Sequence, residues 1–338
     1  MATIRDVARE CGVSVTTVSF VPNNSPRPVS PETRRRVTEI ARRMNYYPNA
    51  MARGLVQRRM NSIGVLFAQV DPLIITNNFA AGILKGVFAE AVTRGYDIHL
   101  YTRKWESADV SAPRFRNNQT DGTLIVTPTI GGDMVSGLHH MGVPLVVVSS
   151  PTAIAGVSFV DVDNTHGARL AAEHLLSLGH TRIAHLMGEF IQHWVFERRD
   201  AFAAALARAG HPLRPEYLAG NSFQKEDAEQ AVHKLLSLPD PPTAIFAAND
   251  DLALCVLNVA QSRGVRVPHD LSVIGFDDYP VSAQTAPPLT TIYHPLMQVG
   301  SRAAQLLLSR IENGAVEDVR ERLTPSLVTR QSTAPPSF

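Results

Sequence analysis

The first 59 residues of this 338-residue chain hold a cluster of arginines that could bind a negatively charged partner. They contain eleven arginines, no lysine and four acidic residues, so the segment has a net charge of +7, whereas the rest of the chain has −6. A basic segment on an acidic remainder predicts a polyanion as the partner of that segment alone. The alternative is a solvated basic face without a partner.

A second group of polar side chains follows short apolar runs in the acidic remainder. Asn249 and Asp277 each end such a run, and Ser149 ends another. If the runs are parallel strands, their carboxyl ends share one edge, and ligands of open α/β sheets bind outside that edge. We therefore expect a small-molecule site there, although a capping role for Asp277 is the alternative.

No residue pattern typical of an enzyme is present. The chain lacks GxGxxG, GxxxxGK[ST], GxSxG and HExxH motifs. Asp250–Asp251 and Asp277–Asp278 are adjacent pairs, and sequence neighbours rarely bring two carboxylates to one substrate bond. The two cysteines lack metal or redox spacing, so we expect reduced, buried thiols. We expect no catalysis, no cofactor and no metal.

Three short helices are predicted to position the arginines. Thr3 begins the first helix in a capping-box pattern, Gly12 ends it, Ser14 caps the second, and Ser30 with Pro31 begins the third. A helix, a turn with glycine and a second helix can place that second helix in the major groove of DNA. The outer face of the third helix is predicted to carry five arginines: Arg34, Arg35, Arg36, Arg42 and Arg43.

The remainder alternates apolar runs with helical stretches, which predicts doubly wound α/β lobes with parallel sheets. The predicted strands are 62–68, 97–101, 123–127, 144–149, 159–162, 182–187, 243–249 and 271–277; the helices include 79–94, 165–178 and 196–209. The chain is expected to cross between lobes near Asp163 and again near 287–291. The predicted domains are a headpiece at 1–46, a hinge with a hinge helix at 47–61, an N-terminal lobe at 62–163 and 291–325, a C-terminal lobe at 164–290, and a tail at 326–338.

The order of several motifs resembles one known family. These are Thr-Ile-Arg-Asp-Val-Ala at 3–8, Gly-Val-Ser at 12–14, Thr-Val-Ser at 17–19, Val-Ser-Pro-Glu-Thr-Arg at 29–34, the segment 47–55, Leu-Gly-His-Thr-Arg-Ile-Ala at 178–184, Gly-Phe-Asp-Asp at 275–278 and Pro-Pro-Leu-Thr-Thr at 287–291. Together they resemble the lac-repressor-type (LacI) regulators. The resemblance implies an all-α helix-turn-helix headpiece followed by a two-lobed α/β domain like that of periplasmic binding proteins.

The resemblance also implies which headpiece residues touch DNA. Val15 and Thr16 match base-reading positions, and Leu55 matches an apolar wedge that enters the minor groove; simple helix packing is the alternative for Leu55. The other residues implied at DNA are Thr3, Ser14, Thr17, Ser19, Phe20, Asn23, Ser30, Thr33, Asn49 and Ala52. Gly54 disfavours the short hinge helix, so we expect that helix to form only on DNA.

Three departures from the family pattern fall on or just after the recognition helix. Phe20 stands where the family commonly has an arginine that reads guanine, Pro22 replaces an aliphatic residue, and the loop at 23–28 is one residue longer. Phenylalanine can only contact a thymine methyl or pack. We expect an altered operator preference or weaker DNA binding.

In the lobes, the resemblance implies that Arg198, Asn249 and Asp277 contact an effector while Phe223 stacks on it. Phe79, Ser149 and Trp194 complete the predicted effector set, and plain packing is an equal alternative for Phe79 and Trp194. Carboxylate, amide and guanidinium groups around an aromatic face suit vicinal hydroxyls, so a sugar is the first choice. Ser149-Ser150 stands where many sugar-binding relatives have Asp-Arg, which leaves the kind of sugar open.

The function implied is that of a cytoplasmic, homodimeric transcriptional regulator, a repressor as first choice. It would bind operator DNA and respond allosterically to the ligand. The chain has no apolar run of membrane-spanning length and no signal-peptide core. The alternatives are a ligand-binding protein of this fold with weakened or lost DNA binding and a sugar-processing enzyme.

Overall fold

A computed structural model provides the coordinates. The structure describes residues 2–21, 29–47, 59–69, 74, 76–117, 119–314 and 317–337. In this part of the chain no helix has both the length and the apolar character needed to cross a membrane.

The headpiece consists of three helices around a small core. They are α1 (Ile4–Cys11), α2 (Val15–Phe20) and α3 (Pro31–Arg43). The predicted capping box is present, because Thr3 and Asp6 exchange hydrogen bonds between side chain and backbone. Gly12 ends α1 with a φ of 61°, a conformation that glycine adopts at little cost. The buried core residues are Val7, Ala8, Cys11, Val18, Val21 and Val37.

The N-terminal lobe is a six-stranded parallel sheet covered by helices. Its strands are β1 (Ser62–Phe67), β2 (Asp97–Leu100), β3 (Gly122–Val126), β4 (Leu145–Val148), β5 (Ser158–Val162) and β11 (Arg320–Leu323), in the order β11-β5-β4-β3-β1-β2. Its helices are α4 (Asn78–Arg94), α5 (Ala108–Ser111), α6 (Met134–His140) and α11 (Leu296–Asn313). Helices α4 and α11 approach closely at Gly86 and Gly300, where an added Cβ would lie 2.0 Å from Met297 O and 2.1 Å from Ile83 O.

The C-terminal lobe has a smaller parallel sheet. Its strands are β6 (Ile183–Leu186), β7 (Leu218–Ala219), β8 (Ala244–Ala247) and β9 (Ser272–Ile274), in the order β7-β6-β8-β9. Its helices are α7 (Asn164–Ser177), α8 (His193–Arg208), α9 (Lys225–Leu236) and α10 (Asp250–Ser262). The predicted doubly wound architecture with parallel sheets is confirmed.

The last strands depart from the predicted boundaries. The sequence placed residues 291–325 in the N-terminal lobe, but β10 (Thr291–Tyr293) pairs antiparallel with β12 (Ser326–Val328) in a separate two-stranded sheet beside the end of β9. The segment after β12, predicted only as a tail, packs on the C-terminal lobe. Ser332 is fully buried and accepts a hydrogen bond from Val273 N at 2.8 Å, and Ala334 O lies 2.9 Å from His180 Nε2. These are long-range contacts, and no local pattern signals them.

Candidate functional site

The recognition helix of the headpiece presents its N-terminal end to solvent. Ser14 caps α2 by accepting a hydrogen bond from Thr17 N at 3.0 Å, and the two hydroxyls are 2.8 Å apart. Val15, 41% exposed, and Thr16 begin the helix. In helix-turn-helix proteins the N-terminal residues of this second helix contact base edges. Both side chains are accessible, as base reading requires.

Several of the other residues that the resemblance implies at DNA cap the headpiece helices or lie near those caps. Ser30 Oγ donates to Thr33 Oγ1 at 2.8 Å and accepts from Thr33 N at 3.1 Å, while Thr3 caps α1 and Ser19 is half-buried on α2. Hydroxyls and backbone N–H groups at helix starts suit phosphate oxygens. The remaining predicted positions lie outside the described residues: Pro22, Asn23, the rest of the loop to 28, Asn49, Ala52, Gly54 and Leu55.

The arginine face of α3 is smaller than the sequence predicts. Arg34 turns toward α2 and donates a hydrogen bond from Nη1 to Val21 O at 2.9 Å, which joins the two helices. Arg43 pairs with Glu10 at 2.6 Å. Arg34 was assigned to the outer face because its backbone position is there, but a long side chain can reach back over the helix end. The other three arginines of that face are exposed: Arg35, Arg36 and Arg42.

Phe20 is the last residue of α2 and is half-buried. We expect Phe20→Arg to create a preference for guanine at one operator position, because arginine can donate two hydrogen bonds to guanine. The binding free energy should then favour guanine over the other bases by about 1–3 kcal/mol. Gel-shift titrations against operators varied at single bases measure this change. An unchanged ranking of the bases would contradict the assignment of Phe20 to the groove.

A cavity of about 630 Å³ lies between the two lobes, at the carboxyl ends of their strands. Residues of both lobes line it, from the loop after β1 on one side to the loop after β6 on the other. All seven predicted effector residues are in its lining: Phe79, Ser149, Trp194, Arg198, Phe223, Asn249 and Asp277. The residues that the strand-end rule predicted at a ligand site are thus brought together in one cavity, and their contact with an effector stays a prediction.

Three lining residues just beyond strand ends have an unusual backbone conformation. Thr127, Ser149 and Asp277 have φ values of 46°, 54° and 116°, which non-glycine residues rarely adopt. Such residues cost free energy and cluster at functional sites. Ser149 is 3% exposed, and its Oγ has no hydrogen-bond partner among the described residues.

Arg198 is the centre of the polar network at the base of the cavity. Its side chain is 4% exposed; Nε donates to Asn164 Oδ1 at 2.9 Å, and Nη1 donates to Ala248 O at 2.5 Å. Nη2 lies 3.6 Å from Asp277 Oδ1. Burial lowers the pKa of the guanidinium, and the carboxylate of Asp277 opposes that shift. Much of the donor capacity of Arg198 is thus used inside the protein.

Aromatic rings cover Arg198 and form one wall of the cavity. The Arg198 guanidinium carbon lies 4.5 Å from the Trp194 ring centroid and 3.4 Å from that of Phe276. Trp194 and Phe223 stack with centroids 5.7 Å apart. Phe223 lies directly against Gly188, where an added Cβ would be 1.9 Å from the phenyl ring. The stacked pair offers a flat apolar surface beside the polar network.

The two ends of the chain match known families of domains. Residues 3–49 match the model of bacterial regulatory proteins of the lacI family, and residues 172–333 match that of the periplasmic binding protein-like domain. Catabolite control protein A of Priestia megaterium is 33% identical over 98% of this chain and 99% of its own length. The chain belongs to the LacI family. The HTH-type transcriptional repressor PurR of Aliivibrio salmonicida is likewise 33% identical over 98% and 99% of the two chains.

Solved structures agree with this assignment. The lac repressor dimer bound to operator and the anti-inducer ONPF matches with a TM-score of 0.85 at 27% identity, covering 98% of this chain and 99% of that one. The complex of the transcriptional regulator CelR with cellobiose matches with a TM-score of 0.76 at 31% identity, covering 98% and 100%. As a LacI-family member, this chain is a DNA-binding transcriptional regulator controlled by a ligand.

In this LacI-family protein, several polar residues that the sequence analysis did not assign to the effector also line the cleft, among them Gln69, Glu189, Asp251 and His294. His294 Nδ1 lies 3.0 Å from Asp277 Oδ1, and the side chain is 2% exposed. Asp251 lies two residues after Asn249, which the sequence analysis had already placed at a strand end, so its position in the sequence could have predicted a place in the cleft. His294 follows the crossover strand β10, and only the tertiary structure brings it to Asp277.

Among the described residues, hydrogen bonds join the rim loops of the two lobes across the cleft. Gln69 Nε2 donates to Glu189 Oε2 at 2.9 Å, and Ile130 N donates to Ile191 O at 2.9 Å. Both join loops at strand ends, one in each lobe. The structure therefore has the two rims of the cleft in contact, and an opening of the lobes would break these bonds.

Asp161 is a buried carboxyl group in the cleft lining, and it predicts a pH dependence of stability. Burial, assisted by the charge of Glu197, raises its pKa from 3.8 to about 7. The folded protein therefore binds a proton that the unfolded chain releases, so this stabilisation is complete below pH 3.8 and is lost as the pH rises toward 7. In wild-type protein this carboxyl group should make the free energy of unfolding fall by up to about 1.4 kcal/mol per pH unit between these values, and Asp161→Asn should remove that dependence.

Urea denaturation of both proteins across that pH range measures the difference. The asparagine side chain can still accept the hydrogen bond from Val162 N, so the local geometry is kept. Asp109→Asn, at an exposed carboxylate on α5, is the matched control and should leave the slope unchanged. If the free energy of unfolding changed with pH in the same way in the wild-type protein and in Asp161→Asn, the raised pKa of Asp161 would be contradicted.

Proposed function

We propose that this protein is a homodimeric, cytoplasmic repressor whose affinity for operator DNA is controlled by a sugar bound, and not chemically altered, in the cleft between the lobes. The observation that carries the proposal is the cavity of about 630 Å³, which combines the stacked Trp194–Phe223 wall with polar groups at strand ends. Its volume is in the range of about 300–1,000 Å³ typical of small-molecule sites. Cellobiose in the CelR complex and ONPF in the lac repressor complex support a sugar-like ligand.

The dimer and the DNA contacts rest on similar support. The lac repressor is a dimer on its operator, and two recognition helices related by two-fold symmetry read two half-sites. In each protomer the set proposed to face DNA is the one implied by the resemblance, with Val15 and Thr16 toward the bases. The domain boundaries predicted from the sequence remain proposals, with β10 and residues 326–337 assigned to the C-terminal side as described above.

Control of DNA binding requires that the ligand prefer one arrangement of the lobes over another. The ligand would contact both lobes, because both supply lining residues. The Gln69–Glu189 and Ile130–Ile191 hydrogen bonds exist only when the rims touch. A ligand that favours the closed cleft would therefore stabilise these bonds. Because strands cross between the lobes, the same closure would change the distance between the two headpieces of the dimer.

The two tryptophans make a direct test possible. Trp194 lines the cleft, whereas the indole of Trp105 donates to Asp133 Oδ1 at 2.7 Å and is absent from the lining. In a Trp105→Phe variant, Trp194 is the sole tryptophan, and its emission should change when neutral monosaccharides or disaccharides bind. The same sugars should change the affinity for DNA taken from upstream of the gene by about 5- to 150-fold in a gel shift.

Purine bases are the comparison ligands in that screen. A purine that changes both signals while no sugar does would overturn the sugar proposal and leave the regulator assignment intact. A sugar that binds while no DNA binding is found would favour the ligand-binding protein with lost DNA binding, the alternative that Phe20 supports.

A further inference from the structure

The charged groups of the cleft are unevenly balanced, and this imbalance bears on the class of ligand. Four carboxyl groups of the described residues line the cleft, those of Asp161, Glu189, Asp251 and Asp277; burial raises the pKa of Asp161 to about 7 and that of Asp251 to about 6. Asp251 has no hydrogen bond or ion pair with any described residue, and Glu189 has only the amide of Gln69 as a partner. Asp277 has Arg198 as its cation, whereas Glu189 and Asp251 have no ion-pair partner among the described residues.

The two cations of the lining do not compensate for these charges. Arg198 is 4% exposed, is covered by two aromatic rings and lies beside Asp277, so its charge is directed at that carboxylate. The side chain of Lys225 is 72% exposed and lies 3.7 Å from Glu229 Oε1, so solvent and that carboxylate screen it. With both cations directed at other carboxylates, the charges of Glu189 and Asp251 are not balanced within the lining.

An independent observation on His294 points the same way. Its Nδ1 faces the Asp277 carboxylate at 3.0 Å, which places the ring hydrogen on Nδ1 and leaves Nε2 as an acceptor. Burial lowers the pKa of His294, so the ring is neutral at neutral pH. Nε2 is buried and has no hydrogen-bond partner in the described part of the chain. A hydroxyl or amino group can donate to such an atom, whereas a carboxylate or a phosphate dianion has no hydrogen to give.

We propose that the cleft discriminates by ligand charge: for one sugar skeleton it binds the amine-bearing form most tightly, the neutral form next and the anionic form most weakly, with Asp251 as the main determinant. This inference rests on the proposed sugar ligand and deepens it. Phosphorylated and acidic sugars are then poor effectors, and hydroxyl-rich or amino sugars are the preferred class.

The test uses three matched sets of probes: glucose, galactose and mannose, each as the free sugar, the 2-amino sugar and the 6-phosphate. Binding to the full-length Trp105→Phe protein is followed by Trp194 emission and by calorimetry. Within the set that binds, the phosphate should be weaker than the free sugar by about tenfold or more, the size expected for one uncompensated charge at a partly wet site.

Asp251→Asn should reduce the difference in affinity between the free sugar and its 6-phosphate severalfold, and it should remove the preference for the amino sugar. Asp109→Asn, with the same chemical change on an exposed helix far from the lining, should leave both unchanged. Asp251 also lies in the first turn of α10, where a carboxylate favours the helix dipole. If Asp251→Asn changes thermal stability without changing the order of the ligands, that structural role is its only one and the inference is overturned.

The two proposals fail in different ways. A 6-phosphate that binds as tightly as its free sugar overturns the charge inference and leaves the sugar regulator standing. If no member of any set binds, and neutral disaccharides also leave Trp194 emission unchanged, the proposed sugar ligand fails and the charge inference falls with it.

Discussion

Replacing Arg198 by methionine should lower the free energy of unfolding of the C-terminal lobe by about 3–5 kcal/mol and abolish ligand binding in the cleft. Methionine retains much of the apolar contact with Trp194 and Phe276 but leaves the buried carboxylate of Asp277 without its cation. It also leaves Asn164 Oδ1 and Ala248 O without the donors seen in the structure. Loss of one partner from a buried charged pair is among the costliest single substitutions.

Chemical denaturation followed by circular dichroism measures the loss, and Trp194 emission reports on the cleft. The matched control is Arg199→Met at the next position of α8, where the arginine pairs with the exposed Asp200. A surface pair of this kind contributes under about 1 kcal/mol. Equal losses for the two variants would mean that Arg198 is not the centre of a buried network.

Replacing Val18 by aspartate should reduce affinity for the operator to the non-specific level, a loss of about 10³- to 10⁷-fold. Val18 is 1% exposed and packs with Val7, Cys11 and Val37 in a small core that, among the described residues, has six buried apolar side chains. A carboxylate without a partner in so small a core unfolds the headpiece. Without α2 held against α1 and α3, no recognition helix can lie in the groove.

The two-lobed domain should be unaffected by this change, because Val18 packs only within the headpiece core. Sugar binding monitored by Trp194 and the thermal midpoint of the lobes should match those of the wild-type protein. Val110→Asp places the same substitution at a valine that is 62% exposed on the N-terminal lobe and should keep operator affinity. Retained operator binding by Val18→Asp would show that another part of the chain binds DNA.

Much of the fold follows from signals within a few residues of each other. Thr3, Gly12, Ser14 and Ser30 bound helices where their cap chemistry predicts, because capping hydrogen bonds join residues three or four positions apart. Buried parallel strands appear as continuous apolar runs for a similarly local reason. Strand-end polar residues could likewise be assigned to the cleft, since parallel strands share one carboxyl edge.

The roles of individual site residues depended on contacts between distant parts of the chain. Arg198 was predicted to contact the effector, yet its nearest partners are Asn164, Ala248 and Asp277, which three separate segments supply. Arg34 was predicted to face solvent and instead bonds to Val21 O. Side chains this long can reach several partners, and only the packing of neighbouring elements decides which one is within hydrogen-bonding distance.

The sequence by itself indicated the family through the order of its motifs. It also determined the helix boundaries of the headpiece and the strand ends that meet at the cleft, because these depend on local hydrogen bonding or on hydrophobic periodicity. Only the tertiary structure decided that His294 faces Asp277, that residues 326–337 pack on the C-terminal lobe, and that Asp251 lines the cleft with no hydrogen-bond or ion-pair partner among the described residues. The first two of these outcomes depend on where the chain crosses between the lobes. The geometry of such crossings is set by the packing of whole elements, and no short stretch of sequence encodes it.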